Sequence, residues 1–161
     1  MKSGDLAGET SLHVALVEPE IPWNAGNAGR SCLAAGARLH LVHPMGFHLD
    51  DRRVRRAGLD YWDRVDPVEW SDADTFEAAW SDLGQPHVFM PDGPRSLWEL
   101  DLRGPVVCVF GGEGRGFRSA LASRWRPIGV RIPQQMNAVR SLNLSNAVAV
   151  VLWEALRQRA E

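Results

Sequence analysis

Six short runs constrain this chain more than any other feature. Leu12–Glu18, Arg38–His43, Val65–Glu69, His87–Met90, Pro105–Phe110 and Gly129–Ile132 carry apolar or β-branched side chains over lengths too short for helices. Proline, glycine or a polar turn bounds them, which is how buried strands read. Helical stretches lie between them. Asn24 or Asn27 is placed to cap a helix running to about Ala35, which Gly36 stops. Asp50 and Asp51 open a short basic helix, Arg52–Ala57, ended by Gly58. Ser71 is a candidate cap for a helix through about Leu83 with Ala73, Phe76, Ala79 and Trp80 on one face. Ser119–Ser123 and the long amphipathic Leu144–Arg159 complete the alternation, with Ser145 or Asn143 as the cap of the last helix. Strands alternating with helices predict an α/β fold, a mostly parallel sheet with helices on both faces.

At 161 residues the chain predicts a single domain, 12–161, preceded by an extension, 1–11, with no assigned role. The longest clear apolar run, Ala147–Trp153, is far short of the roughly 20 residues that cross a bilayer. Met1–Ser11 holds Lys2, Asp5 and Glu9 and no apolar core of a leader, so no membrane contact and a cytoplasmic location are expected. Cys32 and Cys108 sit singly in apolar stretches, which predicts buried free thiols and no metal site. Lys2 is the only lysine; the other 17 cationic residues are arginines. A GC-rich coding sequence produces that bias without functional cause. A net charge of -2 argues against indiscriminate coating of nucleic acid but leaves room for a local basic patch.

The loop Phe110-Gly-Gly-Glu-Gly-Arg-Gly-Phe117 follows a strand and precedes a helix, where phosphate loops lie. A P-loop would need Lys and Ser/Thr after its last glycine, and Phe117 and Arg118 stand there instead. A dinucleotide fingerprint would need its third glycine at Phe117. What remains is exposed main chain and one carboxylate, Glu113, although a plain βα turn also uses glycine for its dihedrals. Two other turns are as polar: Asn24-Ala-Gly-Asn-Ala-Gly-Arg30 and Arg140-Ser-Leu-Asn-Leu-Ser-Asn146. Caps explain part of each. Three polar turns, each after a strand, would gather at the carboxyl edge of a parallel sheet, where open α/β sheets bind ligands.

Taken together these segments resemble the SPOUT superfamily of RNA methyltransferases, specifically the TrmL-type tRNA ribose 2′-O-methyltransferases. The residues that carry the resemblance are Glu18-Pro-Glu-Ile-Pro22, Asn24-x-Gly-Asn27-x-x-Arg30 and Pro44-Met-Gly-Phe47. Asp51-Arg-Arg-Val-Arg-Arg-Ala-Gly-Leu-Asp-Tyr61, Phe110-Gly-x-Glu113-x-Arg-Gly116, Arg131-Ile-Pro133 and Ser141-Leu-Asn-Leu-Ser-Asn-Ala147 follow in order. They span roughly Leu12 to Gln158. Trp23, Gly112, Gly114 and the length of Gln134–Val139 depart from the usual pattern.

The resemblance implies a trefoil-knotted chain and a homodimer with its active site assembled across the interface; the face Val148, Val151, Leu152 and Ala155 would suit that packing. It implies S-adenosylmethionine as cofactor, held by Met90, Gly111, Ile132 and Ser141, and no metal. It makes Arg30 the catalytic arginine, with Asn27 beside it, and tRNA the substrate, methylated on the ribose of its wobble nucleotide, cytidine or uridine 34. Arginine, with a solution pKa of about 12.5 or above, is a poor base, so Arg30 is expected chiefly to orient the hydroxyl and its neighbouring phosphate. Arg52, Arg53, Arg55 and Arg56 are the expected phosphate contacts. Tyr61, Trp62 and Trp23 are candidates for stacking on splayed bases, or for the core. A methyltransferase for another tRNA or rRNA ribose, or a catalytically silent RNA-binding module, would also use such residues.

Overall fold

The computed structural model describes residues 10–135 and 138–161, so residues 1–9 of the N-terminal extension, and Met136 and Asn137 of the 134–139 segment, lie outside the described residues. Seven strands, β1 (Leu12–Val17), β2 (Arg38–Val42), β3 (Val68–Trp70), β4 (Gln85–Phe89), β5 (Arg95–Ser96), β6 (Val106–Phe110) and β7 (Gly129–Arg131), form one sheet in the order β3-β2-β1-β6-β4-β7-β5. Every neighbouring pair is parallel. The α/β class predicted from the alternation is the one observed.

Because side chains alternate along a strand, a sheet covered on both faces needs apolar residues at odd and even positions alike. On β1, Leu12, Val14 and Leu16 face one core and Ala15 and Val17 the other; Val106, Cys108 and Phe110 against Val107 and Val109 repeat this on β6. The first core is closed by α1 (Pro22–Ala35), α2 (Arg52–Gly58), α3 (Trp62–Val65) and α6 (Leu144–Ala160). The second is closed by α4 (Ala73–Leu83) and α5 (Ser119–Trp125). Gly29 lets α1 meet α3 closely: a Cβ there would stand 2.8 Å from the Trp62 ring.

Several local expectations change. The helix α1 starts at Pro22, whose fixed φ suits a first helical position, so Asn24 and Asn27 lie inside it and neither caps it. Asp72, not Ser71, caps α4, its carboxylate accepting from Thr75 N at 2.7 Å. Val65 ends α3, and the third strand begins only at Val68, past Asp66 in a left-handed conformation. The two-residue β5 carried no sequence signal. Val148, Val151, Leu152 and Ala155 are fully buried within the single chain, so that face of α6 belongs to the core. Trp62 is buried as well and offers no stacking surface, while Tyr61 and Trp23 are exposed.

One crossing shapes the carboxyl edge. β7 lies between β4 and β5, which residues 90–94 join directly, so that short segment crosses over β7. Gly93 makes the crossing close enough, since a Cβ there would stand 2.4 Å from the Val130 carbonyl carbon. On the second face, a polar chain is buried beside β1 and β2. Trp70 Nε1–H donates to His40 Nδ1 (3.0 Å), leaving His40 Nε2–H to donate to His13 Nδ1 (2.9 Å) and His13 Nε2–H to donate to the Thr10 carbonyl (2.9 Å). With each ring nitrogen used once, both imidazoles are neutral. Burial holds His13 below its ordinary range and His40 at about 3, and burial likewise lowers His87 to about 4.

Candidate active site

The turns after β1, β4, β6 and β7 converge on a cavity of about 980 Å³. That position is the carboxyl edge of four adjacent parallel strands, where backbone N–H groups and loop side chains are free to face a ligand. Phe89 and Phe110 end their strands stacked at 4.9 Å and, with Met90, Ile132 and Ala147, give the cavity an apolar wall. The glycine loop forms another. Gly112 and Gly116 bridge in antiparallel fashion, Gly116 N–H donates to Gly112 O at 2.9 Å, and Gly116 turns the chain at φ 67°.

One carboxylate anchors that loop. Glu113 accepts from the backbone N–H groups of Glu20 (2.7 Å) and Ile21 (3.0 Å) and from Asn24 Nδ2 (3.2 Å). It therefore supplies, from 92 residues away, the negative charge that the start of α1 otherwise lacks. Asn24 passes the connection on: its Oδ1 accepts from Asn143 Nδ2 at 3.1 Å. Asn143 Oδ1 in turn accepts from Ser145 N, Ser145 Oγ and Asn146 N, capping α6. Glu113, Asn24 and Asn143 thus fasten the glycine loop, α1 and α6 to one another around the cavity. The sequence pointed to all three as polar residues in polar turns, and Glu113 as a carboxylate in an unusual place; their mutual contact was not legible.

Met90, Gly111, Ile132 and Ser141, the four expected cofactor residues, all line this cavity. Gly111 has no room for a side chain, since a Cβ would stand 2.6 Å from Gly116 C and 2.8 Å from Phe117 N. Arg30 and Asn27 are not on its wall. Both are exposed on α1, and the Arg30 guanidinium lies over the Tyr61 ring at 5.6 Å. Arg52, Arg53, Arg55 and Arg56 are exposed on α2, with Arg53 paired to Asp51 (2.8 Å) and Arg55 to Asp63 (3.5 Å). Among the described residues Arg52 and Arg56 have no carboxylate within 4.0 Å, no three His, Cys, Asp or Glu side chains converge as metal ligands, and no helix is long and apolar enough to cross a membrane.

Comparison with known proteins adds chemistry to this geometry. The SpoU rRNA Methylase family model matches residues 11–153. A tRNA (cytidine(34)-2'-O)-methyltransferase of Burkholderia pseudomallei (strain 1106a) is 46% identical over 149 residues, 91% of this chain and 95% of that protein. A solved structure described as "Structural insights into the 2-OH methylation of C/U34 on tRNA" superposes with a TM-score of 0.83 at 40% identity, over 92% of this chain and 96% of that one. An AdoMet-bound rRNA methyltransferase from Sinorhizobium meliloti matches with a TM-score of 0.80 at 28% identity, over 94% of this chain and 57% of its own.

Proposed function

The chain belongs to the SpoU rRNA Methylase family, and from that premise we propose that it methylates the ribose 2′-hydroxyl of cytidine or uridine 34 in tRNA, with S-adenosylmethionine as donor. The observation that carries this reading is the near full-length similarity to a protein of that name, joined to a cavity lined by Met90, Gly111, Ile132 and Ser141.

The cavity suits the donor. Its volume of about 980 Å³ accommodates a nucleoside with an amino-acid tail, the Phe89, Phe110, Met90 and Ile132 side chains suit an adenine, and loop main chain offers hydrogen bonds. Bound S-adenosylmethionine supplies an already activated methyl group, so the protein's work is alignment and care of the hydroxyl proton. Gly111 keeps the loop backbone against the cavity because nothing larger fits there. Arg30 presents a planar fork that holds the hydroxyl and its adjacent phosphate, and Asn27, one turn earlier on the same face of α1, adds an amide.

In this reading the catalytic unit is a homodimer, with α1 of one copy facing the cavity of the other and the chain threaded as a trefoil. Supporting it, Arg30 and Asn27 stand outside the cavity of their own chain, and Ile21, Trp23, Leu142, Val150 and Trp153 expose apolar surface near the cavity mouth and along α6. The crossing of residues 90–94 over β7 is what such threading requires. Arg52 and Arg56 are available to tRNA phosphates.

The test is transfer of labelled methyl from S-adenosylmethionine to an anticodon stem-loop, beside the same RNA with a 2′-deoxyribose at nucleotide 34. Label in the first and none in the second is expected; equal label in both would sink the assignment.

A further inference from the structure

Four arginines, Arg115, Arg118, Arg126 and Arg140, line the cavity mouth, and their pairing divides them. Arg118 is bound to Glu18 at 2.7 Å and Arg126 to Asp92 at 2.7 Å, so each carries a neutralising carboxylate. Arg140 donates through Nη2 to the Gly114 carbonyl at 3.1 Å, a neutral acceptor that leaves its charge uncompensated. Arg115 is exposed, and among the described residues it has neither a hydrogen-bond partner nor a carboxylate within 4.0 Å. Glu20 lies against the loop, its carboxylate where a Cβ on Gly112 or Gly114 would approach within 3.0 Å, but it forms no ion pair with Arg115 or Arg140.

The loop that carries Arg115 is anchored at several points. The Gly112–Gly116 bridge closes it, Glu113 ties it to the start of α1 by three hydrogen bonds, and Arg140 docks on Gly114. A long cationic side chain on a fixed base keeps its reach while the backbone beneath it has already been ordered, which lowers the entropy that binding must overcome. Two uncompensated guanidinium groups, one on the glycine loop and the other docked on it from the segment before α6, stand at the entrance to a methyl-donor cavity and match a phosphodiester: planar forks recognise its paired oxygens, and single carboxylates of the protein do not compete.

We propose that Arg115 and Arg140 form a phosphodiester-binding subsite that holds the RNA backbone flanking the methylated nucleotide at the cavity mouth, separate from the basic face of α2. This rests on the RNA 2′-O-methyltransferase reading and deepens it. The subsite sets the distance of the target ribose from the donor, whereas α2 contacts the RNA farther from the reacting atoms.

The experiment compares wild type, Arg115→Ala, Arg115→Lys and Arg140→Ala on an anticodon stem-loop at several salt concentrations. A second set of RNAs replaces single phosphates next to nucleotide 34 with neutral methylphosphonates. Arg115→Ala is expected to weaken RNA binding roughly tenfold and to reduce the salt slope by about 0.7, the loss of one single-strand phosphate contact. S-adenosylmethionine affinity stays unchanged, which shows that the cavity is intact. One methylphosphonate weakens wild type by a similar factor and Arg115→Ala by little, because the contact is already gone. Arg115→Lys recovers the slope but not the affinity, since it keeps the charge and loses the fork. Unchanged RNA affinity and slope in both alanine variants, with wild type methylating the stem-loop, overturns the subsite alone. Wild type that neither binds nor methylates any tRNA stem-loop overturns the functional reading and the subsite together.

Discussion

Glu113 is the residue whose role the sequence hid most completely, because the groups it satisfies, Glu20 N–H, Ile21 N–H and the Asn24 amide, are about 90 positions away. Replacing it by glutamine keeps its size but turns one acceptor oxygen into a donor facing N–H groups. The expected result is a loss of about 1–3 kcal/mol in stability and clearly weaker S-adenosylmethionine binding, read by thermal unfolding and titration. Unaltered cofactor affinity would mean that the clamp does not shape the cavity. The buried histidines make a second claim at this scale. His13, His40 and His87 are neutral in the folded chain, held below the ordinary value of 6.5 by burial, His40 at about 3 and His87 at about 4. The unfolded chain binds more protons than the folded one below pH 6.5, so the stability they contribute is complete above that value and is lost as pH falls toward 4 and 3. By pH 5.5 His40 and His87 are each expected to cost on the order of 1 kcal/mol, with His13 acting in the same direction, visible as a falling urea midpoint between pH 7.5 and 5.5. A flat midpoint over that range would contradict the neutral relay.

Among the elements, strands and long helices were legible because both depend on local periodicity, and Leu12–Val17, Val106–Phe110 and Leu144–Ala160 fall close to where the apolar spacing put them. What escaped depended on partners distant in sequence. Asn24 reads as a helix cap until Pro22 and Glu113 are seen to start α1 earlier, and a two-residue strand such as β5 exists only because β7 lies beside it. The glycine loop is intermediate: its place after a strand was readable, but not that Gly111 packs against backbone. Gly111→Ala puts a methyl 2.6 Å from Gly116 C, where no flexible side chain can yield. The loop must shift, and S-adenosylmethionine affinity is expected to drop at least about tenfold while far-ultraviolet dichroism stays the same. Tight cofactor binding by this variant would mean that the loop backbone does not face the ligand.

At the scale of the whole molecule, the four expected cofactor residues meet in one cavity while Arg30 and Asn27 stay outside it. A shared dimer site predicts complementation. Arg30→Ala and Gly111→Ala, each inactive alone, should regain methyl transfer when co-expressed as mixed dimers, because one interface then combines an intact Arg30 with an intact cavity. Mixed dimers that remain as inactive as their parents would place both groups in one chain's site. The most direct measurement of the activity and its target is site-resolved 2′-O-methyl mapping of tRNA incubated with the protein and S-adenosylmethionine, with Arg30→Ala in parallel. Methylation confined to the ribose of nucleotide 34, and abolished in the variant, is expected. Methylation at another ribose, or undiminished methylation by Arg30→Ala, would contradict it.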